Sequence, residues 1–100
     1  MPTIRFDRKP AGIDAVEWYK DPTGAFTAGY WTHEGGTIEV DYKEHEFVLL
    51  LAGKVRLTDQ GGHVDEYGMG DGFVIPAGFK GTWETVKPVR KWYVTWQPPG

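Results

Sequence analysis

Short segments rich in β-branched and aromatic residues follow one another along the chain, separated by glycine and proline. In the segment 37–42, Ile38, Val40 and Tyr42 alternate with polar residues, which is typical of a strand with one buried face. The segment 46–52 is apolar on both faces, which predicts a central strand. Further strands are predicted at 25–32, 54–58, 63–67, 73–75, 82–86 and 92–96.

Turn residues mark the ends of these segments. Gly61 and Gly62 separate 54–58 from 63–67 and predict a hairpin, because glycine accepts a positive φ. The segment 13–20 leaves two alternatives open, a helical turn or two or else a strand, which its Trp18-Tyr19 pair suits equally well. Regularly spaced short strands with turns between them predict an all-β sandwich or barrel.

Composition limits the classes to which the protein can belong. One hundred residues, of which 40% are hydrophobic, fit a single domain spanning 1–100. The net charge of −3 argues against a nucleic-acid partner, since such binding needs a basic surface. Cysteine is absent, which excludes disulfides and thiolate metal sites. No apolar run approaches the roughly 20 residues of a membrane span, and no signal-peptide pattern is visible, so we expect a soluble cytoplasmic protein.

Two spaced signatures are more specific than the strand pattern. The first is Glu46-x6-Gly53, and the second is Gly70-x5-Pro76-x-Gly78, with 16 residues between Gly53 and Gly70. Together they resemble the second half of motif 1 and the first half of motif 2 of the cupin superfamily. The sequence from 71 to 83, followed by that from 88 to 93, resembles the small family named for the cupin domain of (S)-ureidoglycine aminohydrolase. The resemblance implies an RmlC-like double-stranded β-helix, a jelly-roll barrel, with its motifs within 29–96.

The resemblance also implies where a cupin metal site would lie. Metal-binding cupins place two histidines two residues apart before the motif 1 glutamate, and one histidine in motif 2. Here the two motif 1 positions are Val40 and Tyr42, and the motif 2 position is Gly81. Glu46 is the only ligand position retained, so we expect no metal ion and no other cofactor.

Two other sets of residues are weaker candidates for metal ligands. Glu39, Asp41 and Glu46 would form an all-carboxylate site for a hard cation, but Glu39 and Asp41 alternate with apolar residues and are predicted to face solvent. The three histidines are scattered. His45 should point away from Glu46 on the same strand, His33 is predicted to lie in a loop, and His63 follows the hairpin turn.

In the cupin register, Tyr42, Glu46 and Trp83 converge at the mouth of the barrel, and Phe79 and Trp31 are predicted to line the same ligand pocket. A carboxylate beside aromatic rings is a candidate general acid or base, and Tyr42 could donate a hydrogen bond to a developing oxyanion. The alternative is structural: Glu46 would then satisfy Tyr42 or a backbone group in a polar corner of the core.

The C-terminal segment suggests an interface. Trp92, Val94 and Trp96 share one face of the last predicted strand, and this aromatic face is predicted to pair two copies as a homodimer. The basic run 87–91 is predicted to be a solvated turn.

The function predicted from the sequence is that of a small cupin barrel that binds a small polar metabolite at its mouth without the usual histidine-rich metal site. Two alternatives stay open: a metal-dependent enzyme like ureidoglycine aminohydrolase, and a non-catalytic dimeric binding module. Neither the identity of the ligand nor the presence of catalysis follows from the sequence.

Overall fold

The computed structural model describes residues 4–5 and 13–98, and all regular structure in these ranges is β-strand. The eight strands are β1 (Ile4–Arg5), β2 (Ile13–Lys20), β3 (Phe26–His33), β4 (Gly36–Asp41), β5 (His45–Asp59), β6 (Val64–Gly68), β7 (Gly72–Ile75) and β8 (Lys80–Trp96). The all-β prediction is confirmed. The helical alternative for 13–20 is wrong, because this segment pairs along its length with β3. None of the described residues belongs to a helix that could cross a membrane.

Strands β5 and β8 are longer than predicted. The sequence pattern predicts a break at Gly53 and another at Pro88, whereas β5 and β8 are continuous strands of 15 and 17 residues. The predicted breaks are irregularities in the pairing, since the register of β5 against β8 shifts between Leu50 and Val55. Gly53 has φ +92°, and a Cβ on it would lie 2.1 Å from the carbonyl oxygen of Pro88. Glycine is required there by its backbone conformation and by the close approach of the two strands.

The two long strands run through both halves of the sheet. In the first half, the C-terminal part of β8 pairs with β3 and with the N-terminal part of β5, which also pairs with β7; β2 and β1 extend this half beyond β3. In the second half, the N-terminal part of β8 pairs with β4 and with the C-terminal part of β5, which also pairs with β6 in the predicted hairpin. The halves face each other, because the rings of Trp31 and Trp83 meet with centroids 5.3 Å apart.

The hydrophobic core fills the space between the two halves. It consists of buried apolar side chains that alternate with outward ones along the strands: Val48, Leu50, Val55, Leu57, Phe73, Ile75, Trp83 and Val89. Trp83 is the largest fully buried side chain among them. Burial of such side chains contributes about 1.5–3 kcal/mol each, so this cluster accounts for much of the driving force of folding.

The outer face of the first half is also apolar. Trp92 packs against Trp18, with ring centroids 3.8 Å apart, and against Tyr30 at 5.6 Å. Trp92 and Trp96 are nevertheless 39% and 45% exposed, and Phe47 beside them is 46% exposed. Trp92 and Trp96 therefore share an outward face, as the alternation of the last strand predicts. Phe47, Trp92 and Trp96 together define an outer aromatic face.

Candidate functional site

A cavity of about 290 Å³ opens between the two halves of the barrel. Its lining combines apolar walls with a small number of ionisable groups: Ala15, Trp31, Ile38, Val40, Tyr42, Glu46, Trp83, Lys91 and Tyr93. A largely apolar concave site with a few convergent polar groups is the usual form of a small-molecule site.

Glu46 and Lys91 form an ion pair at this cavity. Lys91 Nζ donates a hydrogen bond of 2.6 Å to Glu46 Oε2, and the two residues are only 4% and 9% exposed, respectively. Lys91 follows the alternation of β8, in which Val89 and Lys91 are buried while Arg90 and Trp92 are exposed. The predicted solvated turn at 87–91 is therefore wrong, because these residues continue the strand and the alternation turns Lys91 inward.

The ammonium group of Lys91 is also enclosed by aromatic rings. Its Nζ lies 4.6 Å from the ring centroid of Trp31 and 4.4 Å from that of Trp83. A cation over the face of an indole ring is attracted by the negative potential of that face, and the attraction is stronger where water is excluded. Glu46 and the two tryptophans thus fix the position of the Lys91 side-chain nitrogen.

Tyr42 is held in place by the turn that follows β7. Its N–H donates to the carbonyl oxygen of Phe79 at 2.9 Å, and its own carbonyl oxygen accepts from the N–H of Gly78 at 2.7 Å. The ring of Phe79 packs edge-on against that of Tyr42, with centroids 6.2 Å apart. Burial, and then the negative charge of Glu46, raise the pKa of Tyr42 well above its usual range. The hydroxyl therefore stays protonated at neutral pH.

Tyr93 reaches the cavity from β8, and its neighbour on β3 is Gly29. A Cβ on Gly29 would lie 2.5 Å from the Tyr93 hydroxyl oxygen, so the absence of a side chain at this position makes room for the phenol ring. Burial, followed by the charges of Glu17, Glu46 and Glu44, raises the pKa of Tyr93 to about 12.

Two linked hydrogen bonds hold the indole ring of Trp83 in place. Trp83 Nε1–H donates to Thr85 Oγ1 at 2.8 Å, and the same oxygen lies 2.7 Å from His33 Nδ1. The Thr85 hydroxyl has one proton and two lone pairs, so while it accepts from Trp83 it either donates to His33 Nδ1 or accepts from it, according to the tautomer of the ring. The prediction that His33 lies in a loop is wrong: it ends β3 and is 5% exposed.

Four of the five predicted pocket residues come together at the cavity: Tyr42, Glu46, Trp31 and Trp83. Phe79 does not line it and instead supports Tyr42 from outside. Lys91 and Tyr93 also line the cavity, although neither is assigned to the pocket from the sequence. Their signal was the alternation of the last strand, in which both face the opposite side from Trp92.

The cavity does not offer a donor set for a divalent metal ion. Among the described residues that line the cavity, Glu46 is the only carboxylate, and its Oε2 is already bound to Lys91. In the part of the chain that the structure describes, no three His, Cys, Asp or Glu side chains come together as a metal site. Glu39 and Asp41 are exposed on the opposite side of β4 from Val40, which deprives the all-carboxylate alternative of its ligands.

Position 81 has no room for a histidine. A Cβ on Gly81 would lie 1.9 Å from the carbonyl oxygen of Thr58, on the neighbouring strand β5. The other histidines are engaged or exposed elsewhere. His45 Nδ1 accepts from the N–H of Ala77 at 3.0 Å, and the His45 ring stacks on Trp96, away from the cavity as predicted. His63 is largely exposed beside Asp65.

Comparisons with known proteins agree on the architecture. The model of the EutQ-like cupin domain family matches residues 20–93. The EutQ protein of Clostridium difficile superposes with a TM-score of 0.74 at 16% identity, over 85% of this chain and 68% of that chain. A putative ethanolamine utilization protein of Salmonella typhimurium gives a TM-score of 0.79 at 22% identity, over 97% of this chain and 80% of that chain.

A DUF861 family protein of Thermotoga maritima is 31% identical over 64% of this chain and 73% of that chain, with a TM-score of 0.63. No curated protein matches the chain. The cupin barrel predicted from the paired glycine and proline motifs is confirmed by the family model and by these solved structures.

Proposed function

The chain belongs to the EutQ-like cupin domain family, and we propose that it binds a small polar molecule in the cavity between the two halves of its barrel. The EutQ-like neighbours share the fold at 16% and 22% identity, which carries no information about a shared ligand. The proposal rests instead on the side chains that line the cavity.

The observation that carries the proposal is the buried Glu46–Lys91 pair. Removing two charges from water costs several kcal/mol per ion, and apolar residues of similar volume are often as stabilising as such a pair. An ion pair that borders a cavity with apolar walls is therefore poorly explained by stability alone. It is well explained by recognition, because it gives an otherwise apolar cavity a polar, oriented end.

We propose that binding needs no metal ion. Glu46 offers one carboxylate, which is neutralised by Lys91, and the remaining lining side chains are poor ligands for a divalent cation. This disfavours the alternative of a metal-dependent enzyme like ureidoglycine aminohydrolase. We do not extend the proposal to catalysis by Glu46 and Tyr42, since the geometry assigns Glu46 to Lys91.

We further propose that the outer aromatic face is covered by a second copy of the chain. Stable interfaces bury roughly 800 Å² on each partner and are enriched in aromatic side chains at their centre. The face extends across β5 and β8 and contains Phe47, Trp92 and Trp96, all of which are partly exposed in one copy. The cytoplasmic location predicted from the sequence stays a prediction.

The test of ligand binding is a thermal-shift screen of small polar metabolites against the purified protein. A ligand at a hundred times its dissociation constant should add about 2.7 kcal/mol of stability. The same ligand should bind more weakly to the variants Tyr42→Phe and Tyr93→Phe, which remove a hydroxyl from the cavity. Tyr67→Phe is the matched control, because Tyr67 stacks on Phe73 and does not line the cavity. Equal loss of binding in all three variants would contradict the assignment of the site.

A further inference from the structure

We propose that the ligand presents a hydrogen-bond donor, a hydroxyl or a primary amine on a short apolar body, and that the cavity rejects carboxylates and phosphates despite its buried lysine. This inference rests on the proposed function and names the chemical class that the same cavity takes.

Lys91 is not available to bind an anion. Its ammonium group donates to Glu46 at 2.6 Å and is bordered by the rings of Trp31 and Trp83 at 4.6 and 4.4 Å. With 4% of its surface exposed and two indole rings beside it, the ammonium group of Lys91 leaves little room for a second carboxylate to approach. An anionic ligand would have to displace Glu46 and leave that carboxylate buried without a partner, which is costly. Lys91 therefore acts as a fixed counterion of Glu46.

The other charges near the cavity also oppose an anion. The carboxylates of Glu17 and Glu44 border a recess that shares Tyr93 with the cavity, where they face one exposed lysine, Lys20. Among the described residues that line the cavity and this recess, three carboxylates stand against two ammonium groups once Glu46 and Lys91 are included. A ligand that carries a negative charge meets net repulsion, and this repulsion is poorly screened inside a partly buried site.

Among the polar atoms that remain open to a ligand, the free carboxylate oxygen of Glu46 requires a donor. Glu46 Oε1 accepts no hydrogen bond from any residue in the described ranges, whereas Oε2 is taken by Lys91. The hydroxyls of Tyr42 and Tyr93 likewise have no hydrogen-bond partner in those ranges, and each can donate or accept. A carboxylate can only accept, so the group opposite Glu46 must bring its own N–H or O–H. The apolar walls of Ile38 and Val40 then suit a short hydrocarbon body.

Three compounds of equal chain length test this inference: butanol, butylamine and butyrate. Each is titrated into the isotope-labelled protein, and the indole N–H signals of Trp31 and Trp83 are followed by NMR. We expect butanol or butylamine to saturate the shifts at a concentration about tenfold lower than butyrate. Tighter binding of butanol than of butylamine would indicate a ligand with a neutral polar group, and the reverse order would indicate a cationic one. Butyrate binding as tightly as both others overturns the inference and leaves the proposed function intact. If none of the three shifts these signals, the inference is wrong, and the metabolite screen decides separately on the proposed function.

A double variant tests the role of the ion pair. Glu46→Gln combined with Lys91→Met removes both charges at similar volume and introduces a carboxamide, which donates as well as accepts. The preference for butanol over butyrate should then fall to within about threefold. The control is Glu66→Gln combined with Lys54→Met, an exposed pair whose charged atoms are 3.8 Å apart, in which the preference should persist. An unchanged preference in the Glu46/Lys91 variant would show that the pair does not select the ligand.

Discussion

Lys91 Nζ and Glu46 Oε2 are 2.6 Å apart although the two residues are separated by 45 positions in the chain. Strands β5 and β8 bring them together, since Glu46 pairs with Thr95 and Leu50 pairs with Lys91. Both side chains are buried, and the lysine side chain is long enough to reach the carboxylate of Glu46. The pair therefore depends on the register of the two longest strands. The protein should be less stable when only one of the two charges is present.

The single variants Lys91→Met and Glu46→Gln should each destabilise the protein. Removing either partner leaves a buried charge without compensation, which costs about 3–5 kcal/mol. The double variant should recover most of this loss, because no unpaired charge remains. Urea unfolding of the four proteins measures the coupling. Lys43→Met is the matched control: Lys43 also lies 3.0 Å from a carboxylate, that of Asp41, but it is exposed, and its loss should cost less than about 1 kcal/mol. A double variant as unstable as the sum of the single variants would contradict this account.

Gly81→Ala should destabilise the barrel. A Cβ at this position would approach the carbonyl oxygen of Thr58 to 1.9 Å, so β5 and β8 would have to separate. Forcing atoms into a closely packed region costs about 1–3 kcal/mol, which urea unfolding resolves. Gly35→Ala serves as the control, since the nearest atom to its Cβ would be 4.0 Å away. Equal stability of the two variants would contradict the close approach and would reopen position 81 to a metal-binding histidine.

Stability should fall as the pH drops below about 6.5, in part because of His33. Burial lowers the pKa of His33 in the folded protein from its usual value of 6.5, although Glu34 acts in the opposite direction. Between the two pKa values the unfolded chain binds more protons, so the contribution of His33 is complete above 6.5 and is lost below it. The urea midpoints of His33→Asn should therefore differ less between about pH 7.5 and pH 5.5 than those of the parent protein. The control is His63→Asn, which replaces an exposed histidine and should leave the difference between the two urea midpoints as it is in the parent protein. If His33→Asn also leaves that difference unchanged, the prediction is refuted.

Treatment with a metal chelator should leave the thermal unfolding midpoint unchanged. The cavity presents one carboxylate, already bound to an ammonium group, so a divalent cation would have to displace Lys91. Elemental analysis of protein prepared without a purification tag should find well under one metal ion per chain. A stoichiometric ion that resists dialysis, together with a lower midpoint after chelation, would contradict the proposal.

The protein should sediment as a dimer, and the variant Trp92→Glu should shift it towards the monomer. Trp92 lies within the outer aromatic face and contacts Trp18 and Tyr30 of its own chain. A charge there would be buried without a partner if a second copy covers the face. Met69→Glu is a useful control, because Met69 is 74% exposed and lies in the turn between β6 and β7. A parent protein that sediments as a monomer at all concentrations would reject this prediction.

The motif spacing was sufficient to predict the barrel and three of the residues that line the cavity, Tyr42, Glu46 and Trp83. Glu46 and Tyr42 lie where the cupin register places them, because Gly53 and Gly78 fix the positions of β5 and of the turn next to Tyr42. Such backbone constraints leave a local signature that can be recognised in one sequence. The position of Trp83 follows in the same way, two residues after Gly81 on β8.

Lys91 and His33 were missed because their neighbours in the sequence suggest the opposite environment. Pro88 and Arg90 suggest a solvated turn around Lys91, and two glycines shortly after His33 suggest a loop. What decides each environment is a distant partner, Glu46 for Lys91 and Thr85 for His33. Local composition carries no information about such partners. The alternation of inward and outward residues does carry information about the environment of Lys91, provided that β8 is treated as a single strand through Pro88.

The continuity of β8 makes the cavity sensitive to insertions. This one strand carries Trp83, Lys91 and Tyr93 on its inner side and Trp92 on its outer side. A single residue inserted between Trp83 and Lys91 would reverse every later side chain, because successive residues of a strand point to opposite faces. The tryptophan would then turn inward and the ammonium group outward, so one insertion would remove the ligand site and the outer aromatic face together. Homologues that preserve the site should therefore vary in length outside this strand.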